Sequence, residues 1–349
     1  MAGKGGRKRA LRLYFSTDIH GSERCFRKFL AAAKTYDATV LIMGGDIAGK
    51  GLVPIRDHGD TLSATVRGET VTVPRAEEDR LRGEINKLGF YSLLRDDAEV
   101  DRLQSDATAQ AAEFRRAIVD QIKQWTVLVE ERLDPSIRCI ITPGNDDPLE
   151  IDPFLRSSPR IDCPEGELFD LGPALLASCG DVTPTPWNTD REFPEPELAK
   201  RLAKMLDAVP KGREVIVNFH NPPYSSGLDF AAELDASLLP VIRGGRPSII
   251  PVGSTAVRDA IKSYQPTVGL HGHIHESKGA QKIGKTLCLN PGSDYDADLL
   301  RGVVVDIAED GSCREEQPTC IGRSQQQLPQ LALLLPLDTM TWRRWCETA

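Results

Sequence analysis

Five short apolar runs in this chain each break off into a motif of Asp, Asn, Gly or His, and that repetition restricts the fold more than any other feature. The alternating stretch 11–15 leads to Asp18-Ile19-His20. The continuous run Val40-Leu41-Ile42-Met43 leads to Gly45-Asp46. Cys139-Ile140-Ile141 precedes Gly144-Asn145-Asp146-Asp147, Val215-Ile216-Val217 precedes His220, and residues 267–270 precede Gly272-His273-Ile274-His275. Such runs read as strands, the uniformly apolar ones covered on both faces. Residues 25–33, 197–209 and 255–264 carry apolar positions at helical spacing, and the first of these completes a β-α-β unit with the strands around it. Two more strands are expected at 286–289 and 302–307. In open α/β sheets ligands gather at the carboxyl ends of strands, and all five motifs stand there.

The residue types point to a metal centre. Four of the chain's six histidines (His20, His220, His273 and His275) belong to the series, and His271 adjoins it. Imidazole and carboxylate suit Zn, Mn and Fe. One Asp-x-His motif alone is more often a surface turn; five motifs in order are a strong signal. Two ions about 3.5–4 Å apart polarise a phosphoryl oxygen and activate water. Asp46, in mid-series, is the expected bridge. Asp18, His20 and His275 would complete one ion, and Asn145, His220 and His273 the other, which makes Asp46, Asn145 and His220 the expected catalytic group. Gly45, Gly144 and Gly272 are expected to turn the backbone sharply, so that the side chains converge.

The series resembles that of the calcineurin-like metallophosphoesterase superfamily: Asp-x-His, Gly-Asp, Gly-Asn-His-Asp/Glu, His, Gly-His-x-His. The matching segments run from residue 18 to 275. The resemblance implies a four-layer α/β/β/α sandwich, two metal ions held as above, and hydrolysis of phosphate mono- or diesters. One position departs from the pattern: Asp146 stands where the family often has a histidine that protonates the leaving group or steadies the transition state. An aspartate of ordinary pKa is ionised at neutral pH and has no proton to give. Three readings follow: a protonated Asp146, a substitute such as His271 or His58, or no general acid and an ester with a good leaving group. The last is favoured. Asp147 matches the family's final acidic position and is expected to orient a ligand. His271 is evenly balanced between a core histidine and a substrate contact. His58 reads as a surface residue, and Asn290-Pro291-Gly292-Ser293 as a tight turn.

Residues 1–10 form a basic, glycine-rich tail, 11–310 the metallophosphoesterase domain, and 311–349 a C-terminal extension. Within the domain, 51–134 is an insertion. It opens with a hairpin around Arg67-Gly68 and turns helical after Pro74, with Ala111, Phe114, Ile118, Ile122, Trp125 and Val129 on one stripe. Residues 76–134 hold 14 acidic and 9 basic residues, most of the chain's net charge of −8. A solvated helical layer on the core is the expected role; a lid or a dimer interface are the functional alternatives. Gln325-Gln326-Gln327 reads as a linker, with 331–335 and 342–345 apolar enough to dock on the domain.

Composition narrows the function. No apolar run approaches the roughly 20 residues that span a bilayer, and the N-terminal tail lacks a secretory h-region. The acidic balance argues against nucleic-acid binding. Eight scattered cysteines without a C-x-x-C pair read as reduced thiols in a cytosol. The expectation is a cytoplasmic, metal-dependent phosphohydrolase using two divalent ions (Mn, Fe or Zn). Its substrate is expected to be a small or nucleotide-like phosphodiester, and a homodimer is an open option. The alternatives are a scaffold with a vestigial site and a DNA nuclease.

Overall fold

Two stacked sheets carry the chain in the computed structural model, which describes residues 9–321. The first has the order Cys313–Ile321, Leu300–Ala308, Arg9–Ser16, Val40–Gly44, Arg138–Thr142, the last three parallel. The second has the order Gly279–Ile283, Thr286–Asn290, Val268–Leu270, Glu214–Phe219, Ala174–Cys179, Leu168–Asp170, with four parallel inner strands between antiparallel edges.

Side-chain alternation explains the layers. Leu13, Phe15, Val40, Ile42 and Ile140 face Leu176, Ile216, Val268, Leu270 and Leu287 between the sheets. Their neighbours Tyr14, Leu41, Met43 and Ile141 point the other way, under helices Glu23–Thr35 and Ala107–Arg132. Leu175, Val215 and Val217 pack outward against helices Glu195–Asp207 and Thr255–Tyr264. The result is the α/β/β/α sandwich, and strands buried on both faces account for the uniformly apolar runs.

The segment after Gly51 differs from the helical expectation. It holds a four-stranded sheet in the order Glu69–Pro74, Thr61–Val66, Gly51–Asp57, Phe90–Asp96, closed by Leu81 and Ile85 of helix Glu78–Lys87 over its own small core. The hairpin turns at Arg67 (φ 51°) and Gly68 (φ 81°), two successive left-handed residues that suit a two-residue loop. Phe90–Asp96 is a strand because Gly51–Asp57 offers it a parallel partner, a tertiary pairing that no local pattern announces. The long helix does carry the stripe. Ile118, Ile122, Trp125 and Val129 are all buried, and Trp125 stacks on Phe26 with ring centroids 4.1 Å apart. These side chains lie inside the chain's own core and are not available as a dimer surface.

Cys313–Ile321 pairs with Leu300–Ala308, so the chain beyond residue 310 continues as an edge strand. The Gln325–327 linker and the apolar stretches after it lie outside the described residues, as do residues 1–8. Among the described residues no helix is long and apolar enough to cross a membrane, and no disulfide is formed.

Candidate metal centre

Every motif of the series leaves its strand at the same end of the sandwich, and the loops are tied to one another there. Asp18, His20 and Gly21 donate their backbone N–H groups to the carbonyls of Gly45, Asp46 and Ile47, so the first two loops run side by side. Gly272 N donates to His220 O at 3.0 Å, and His220 N to Cys179 O at 2.9 Å. Ser293 ties the end of the series to its beginning: its Oγ donates to Asp18 O at 2.6 Å and its N to His275 O at 3.1 Å. The Asn290–Ser293 stretch is thus a turn, and it pins two ligand-bearing loops.

Asp18, His20 and His275 form one cluster, and Asp46, His220 and His273 a second. His20 Nε2 and His275 Nε2 face each other at 3.0 Å. Asp46 Oδ2 lies 3.3 Å from His220 Nε2 and 4.0 Å from His20 Nε2, between the two clusters. Asn145 directs its Nδ2 to Asp146 Oδ1 and Thr189 Oγ1, which leaves its Oδ1 buried and without a partner. His220 donates Nδ1–H to Gly44 O at 3.1 Å; its Nε2 has no hydrogen-bond partner, nor does His20 Nδ1. Buried polar atoms are almost always satisfied, so three orphans among these residues need an explanation. Two oxygen-and-nitrogen clusters sharing a carboxylate fit divalent cations as the missing partners.

The electrostatics divide these donors into neutral imidazoles and one that is charged until a cation displaces its proton. Burial pushes His273 down to about 4 and His20 well below its usual value, so both are neutral and offer lone pairs. Burial opposes charge on His220 as well, but the Asp46 and Asp18 carboxylates outweigh it and raise the imidazole to about 10. Asp46 is itself held low, because the attraction of His220 overcomes its burial. Asp147 accepts from the backbone of Ile47, Ala48 and Gly144, which ties the loop just after Asp46 to the Gly144 loop. Arg191, nearly fully buried, donates Nε–H to Asp147 O and pairs with Asp152.

Four of these residues adopt left-handed backbone conformations without being glycine: Asp18 (φ 55°), His20 (φ 40°), Asp46 (φ 50°) and His273 (φ 66°). Such conformations cost of order 1–3 kcal/mol each and persist where the surroundings impose them. Gly45, at φ 117°, does supply the turn expected of it. Gly144 and Gly272 have a different role: a Cβ at Gly144 would sit on the Asp46 carboxylate and against His220 Nε2, and one at Gly272 on Asp18. They are glycine for want of space and not for turning.

The open question at Asp146 narrows. His271 is fully buried, donates Nδ1–H to Phe219 O at 2.8 Å, and is pushed down to about 4 by burial; it is a core histidine. His58 sits in the turn between strands Gly51–Asp57 and Thr61–Val66, against Asp97 and Ser63. Asp146 donates its backbone N–H to Asp46 Oδ1 at 2.9 Å and brings Oδ2 to 3.8 Å from His20 Nδ1. Its pKa is not ordinary: burial, then the charge of Asp46, raise it to about 6, against the pull of Lys50. At neutral pH it is still mostly ionised. Lys50 and Tyr295 belong to the same rim and escaped the sequence reading. The only signals were a lone lysine between two glycines four residues past Asp46, and an aromatic residue just after the closing turn.

No family model matches the chain. An uncharacterized protein of Methanocaldococcus jannaschii, MJ1162, is 28% identical over 162 residues, which covers 46% of this chain and 66% of that relative. The matched region is therefore just under two thirds of the relative's length. Among solved structures, one crystal structure aligns with a TM-score of 0.52 and 18% identity, over 88% of this chain and 98% of that one. A putative 5'-nucleotidase of Staphylococcus aureus aligns at TM-score 0.42 and 12% identity, over 97% of this chain and 57% of that one. A dimetal phosphatase of Danio rerio aligns at 0.41 and 10%, over 91% and 100%. At these identities the likeness concerns the fold alone. The fold is an α/β/β/α sandwich, with the polar loops of the ligand series at the ends of its strands.

Proposed function

We propose that this chain is a metal-dependent phosphohydrolase that works with two divalent ions, and that its substrates are small or nucleotide-like phosphodiesters. The single observation that carries the reading is the convergence of seven oxygen and nitrogen donors from five strand ends, with the Asn145, His220 and His20 atoms left unpartnered by protein. Asp18, His20 and His275 would hold one ion; Asn145, His220 and His273 the other; Asp46 would lie between them. Such a pair supplies Lewis-acid polarisation of the phosphoryl group and activation of water.

The chain's own residues supply position and field. Asp147 and the Gly44 carbonyl hold Asp46 and His220 in place, as outer-shell partners do for metal ligands. Asp146, raised to about 6, is mostly ionised at neutral pH, and His271 and His58 are held by the Phe219 carbonyl and by Asp97 and Ser63. The reading therefore favours esters whose leaving group departs unprotonated. A cytosolic setting with Mn, Fe or Zn belongs to the same proposal, on the strength of the unpaired thiols and the mixed N/O donors.

The test is hydrolysis of bis(p-nitrophenyl) phosphate by purified protein supplied with Mn²⁺, then with Fe²⁺ and Zn²⁺. Turnover is expected with at least one metal and is expected to be lost in Asp46→Asn and His220→Ala. No turnover with any divalent ion would overturn the reading.

A further inference from the structure

Residues 180–192, which follow the strand Ala174–Cys179, press along one ligand motif at three points. Gly180 sits so close to Pro143 that a Cβ there would overlap the Pro143 carbonyl oxygen. Thr189 Oγ1 lies 3.2 Å from Asn145 Nδ2. Arg191, buried, donates Nε–H to Asp147 O at 3.0 Å and pairs with Asp152. The loop is also closed on itself, Val182 N donating to Arg191 O at 2.9 Å and Phe193 N to Val182 O at 2.8 Å. Asn145 is thus backed by a separate, braced loop.

The hydrogen bonds of that loop run in one direction. Glu192 collects four donors: the backbone N–H groups of Thr185 and Thr189 and the hydroxyls of both threonines. A carboxylate accepts hydrogen bonds and donates none. The Thr189 hydroxyl proton therefore points at Glu192 Oε1, 2.9 Å away, and the oxygen turns its lone pairs to Asn145. Asp146 Oδ1, 3.0 Å from the same Asn145 nitrogen, is a second acceptor. Two acceptors on one side of a carboxamide call for its NH2 group there, one hydrogen to each. The Asn145 Oδ1 then faces the other way, where it is buried and has no protein partner.

We infer that Thr189, held by Glu192, is a positioning residue for the metal-facing oxygen of Asn145, so that the 180–192 loop governs the binding of one ion of the pair and not the other. The inference rests on the two-metal reading and is read out through metal binding instead of turnover. Without the Thr189 lone pair the amide keeps a single anchor, Asp146, and is free to turn an N–H toward the cation. Loss of such an outer partner costs about 10–100-fold in metal affinity. The Asp18 and His20 loop is tied elsewhere, to the carbonyls of Gly45, Asp46 and Ile47 and to Ser293.

The experiment titrates Mn²⁺ calorimetrically into full-length, metal-free protein. The wild type is expected to bind two ions. Thr189→Val keeps the shape and removes the hydroxyl; it is expected to weaken one ion by about tenfold or more and to leave the other within about threefold. Thr189→Ser keeps the hydroxyl and is expected to stay within about threefold at both. Glu192→Gln, which offers the threonines a donor as well as an acceptor, is expected to weaken the same ion. In His273→Ala, which already lacks a ligand of the Asn145 ion, adding Thr189→Val is expected to change the tighter remaining affinity by less than about threefold. If Thr189→Val misfolds, Thr189→Ala against Thr189→Ser decides the same point. Wild-type affinity for both ions in a folded Thr189→Val or Thr189→Ala protein overturns the inference. Equal weakening of both ions does so too, as does a Thr189→Ser protein as weak as the valine variant. Two bound ions with this dependence on Thr189, in a protein that hydrolyses no ester, would overturn the hydrolase reading and leave this one standing.

Discussion

Gly144 shows how tightly the site is specified at the level of single residues. Its Cα hydrogen points at the Asp46 carboxylate and His220 Nε2, so one added methyl group must displace a metal-binding side chain. Gly144→Ala is therefore expected to lose metal affinity and to lower kcat/KM by about tenfold or more, a cost of at least about 1.4 kcal/mol. Manganese titration and hydrolysis assays on the folded variant check it; wild-type affinity would mean that the loop moves aside freely. A second residue-scale test concerns Glu165, whose Oε1 accepts from Gly180 N while Oε2 is buried without a partner. Burial raises its carboxyl to about 8. The unfolded chain releases this proton near its ordinary value of about 4.5, whereas the folded one keeps it to about 8. Its stabilising share is thus fully present below pH 4.5 and is lost as pH rises to about 8. Glu165→Gln should leave the melting temperature at pH 5 nearly unchanged and raise it at pH 8. Equal effects at both pH values would show that Glu165 does not titrate this way.

At the scale of elements, the segment after Gly51 braces the metal loops. Tyr91, on the Phe90–Asp96 strand, takes the Gly49 N–H on its hydroxyl and donates to Gln121 of the long helix. Gln121 and Asn86 both donate to Gly21 O, just past His20. Tyr91→Phe leaves the Gly49 N–H unsatisfied, and a loss of about 1–3 kcal/mol in unfolding free energy is expected. If the brace also positions the His20 loop through Gly21, KM for the aryl diester should rise as well; a purely structural role would lower stability and leave KM unchanged.

What was legible in the sequence divides along the same lines. The ligand series could be read because chemistry restricts residue type at each point, and strands buried on both faces advertise themselves as apolar runs. The strand Ala174–Cys179 was invisible: Ala-Leu-Leu-Ala has no β preference, and its pairing with Glu214–Phe219 is long-range. Phe90–Asp96 was missed for the same reason. The left-handed conformations of Asp18, His20, Asp46 and His273 were hidden because the surrounding hydrogen bonds, not glycine, impose them. Lys50 and Tyr295 carry no motif at all; only the packing around Gly89 brings them together.

For the whole molecule, metal binding, charge and stability are one linked equilibrium. An ion that binds the folded chain and not the unfolded one stabilises it by about 2.7 kcal/mol per site at a hundred times its dissociation constant. His220 governs how this depends on pH. Its imidazole, raised to about 10 by Asp46 and Asp18 against its burial, holds a proton at neutral pH, and a cation taking the same lone pair must displace it. Metal affinity should therefore climb between pH 6 and pH 8, by up to about tenfold per pH unit for the one proton released. The melting temperature at fixed Mn²⁺ should rise with it over that range. Calorimetric titration in two buffers of different ionisation enthalpy counts the protons directly. About one proton per metal pair is expected from the wild type, and none from His220→Asn, because the displaced proton belongs to that ring. Proton release that persists in the variant would assign it to another group and remove His220 from the ligand set.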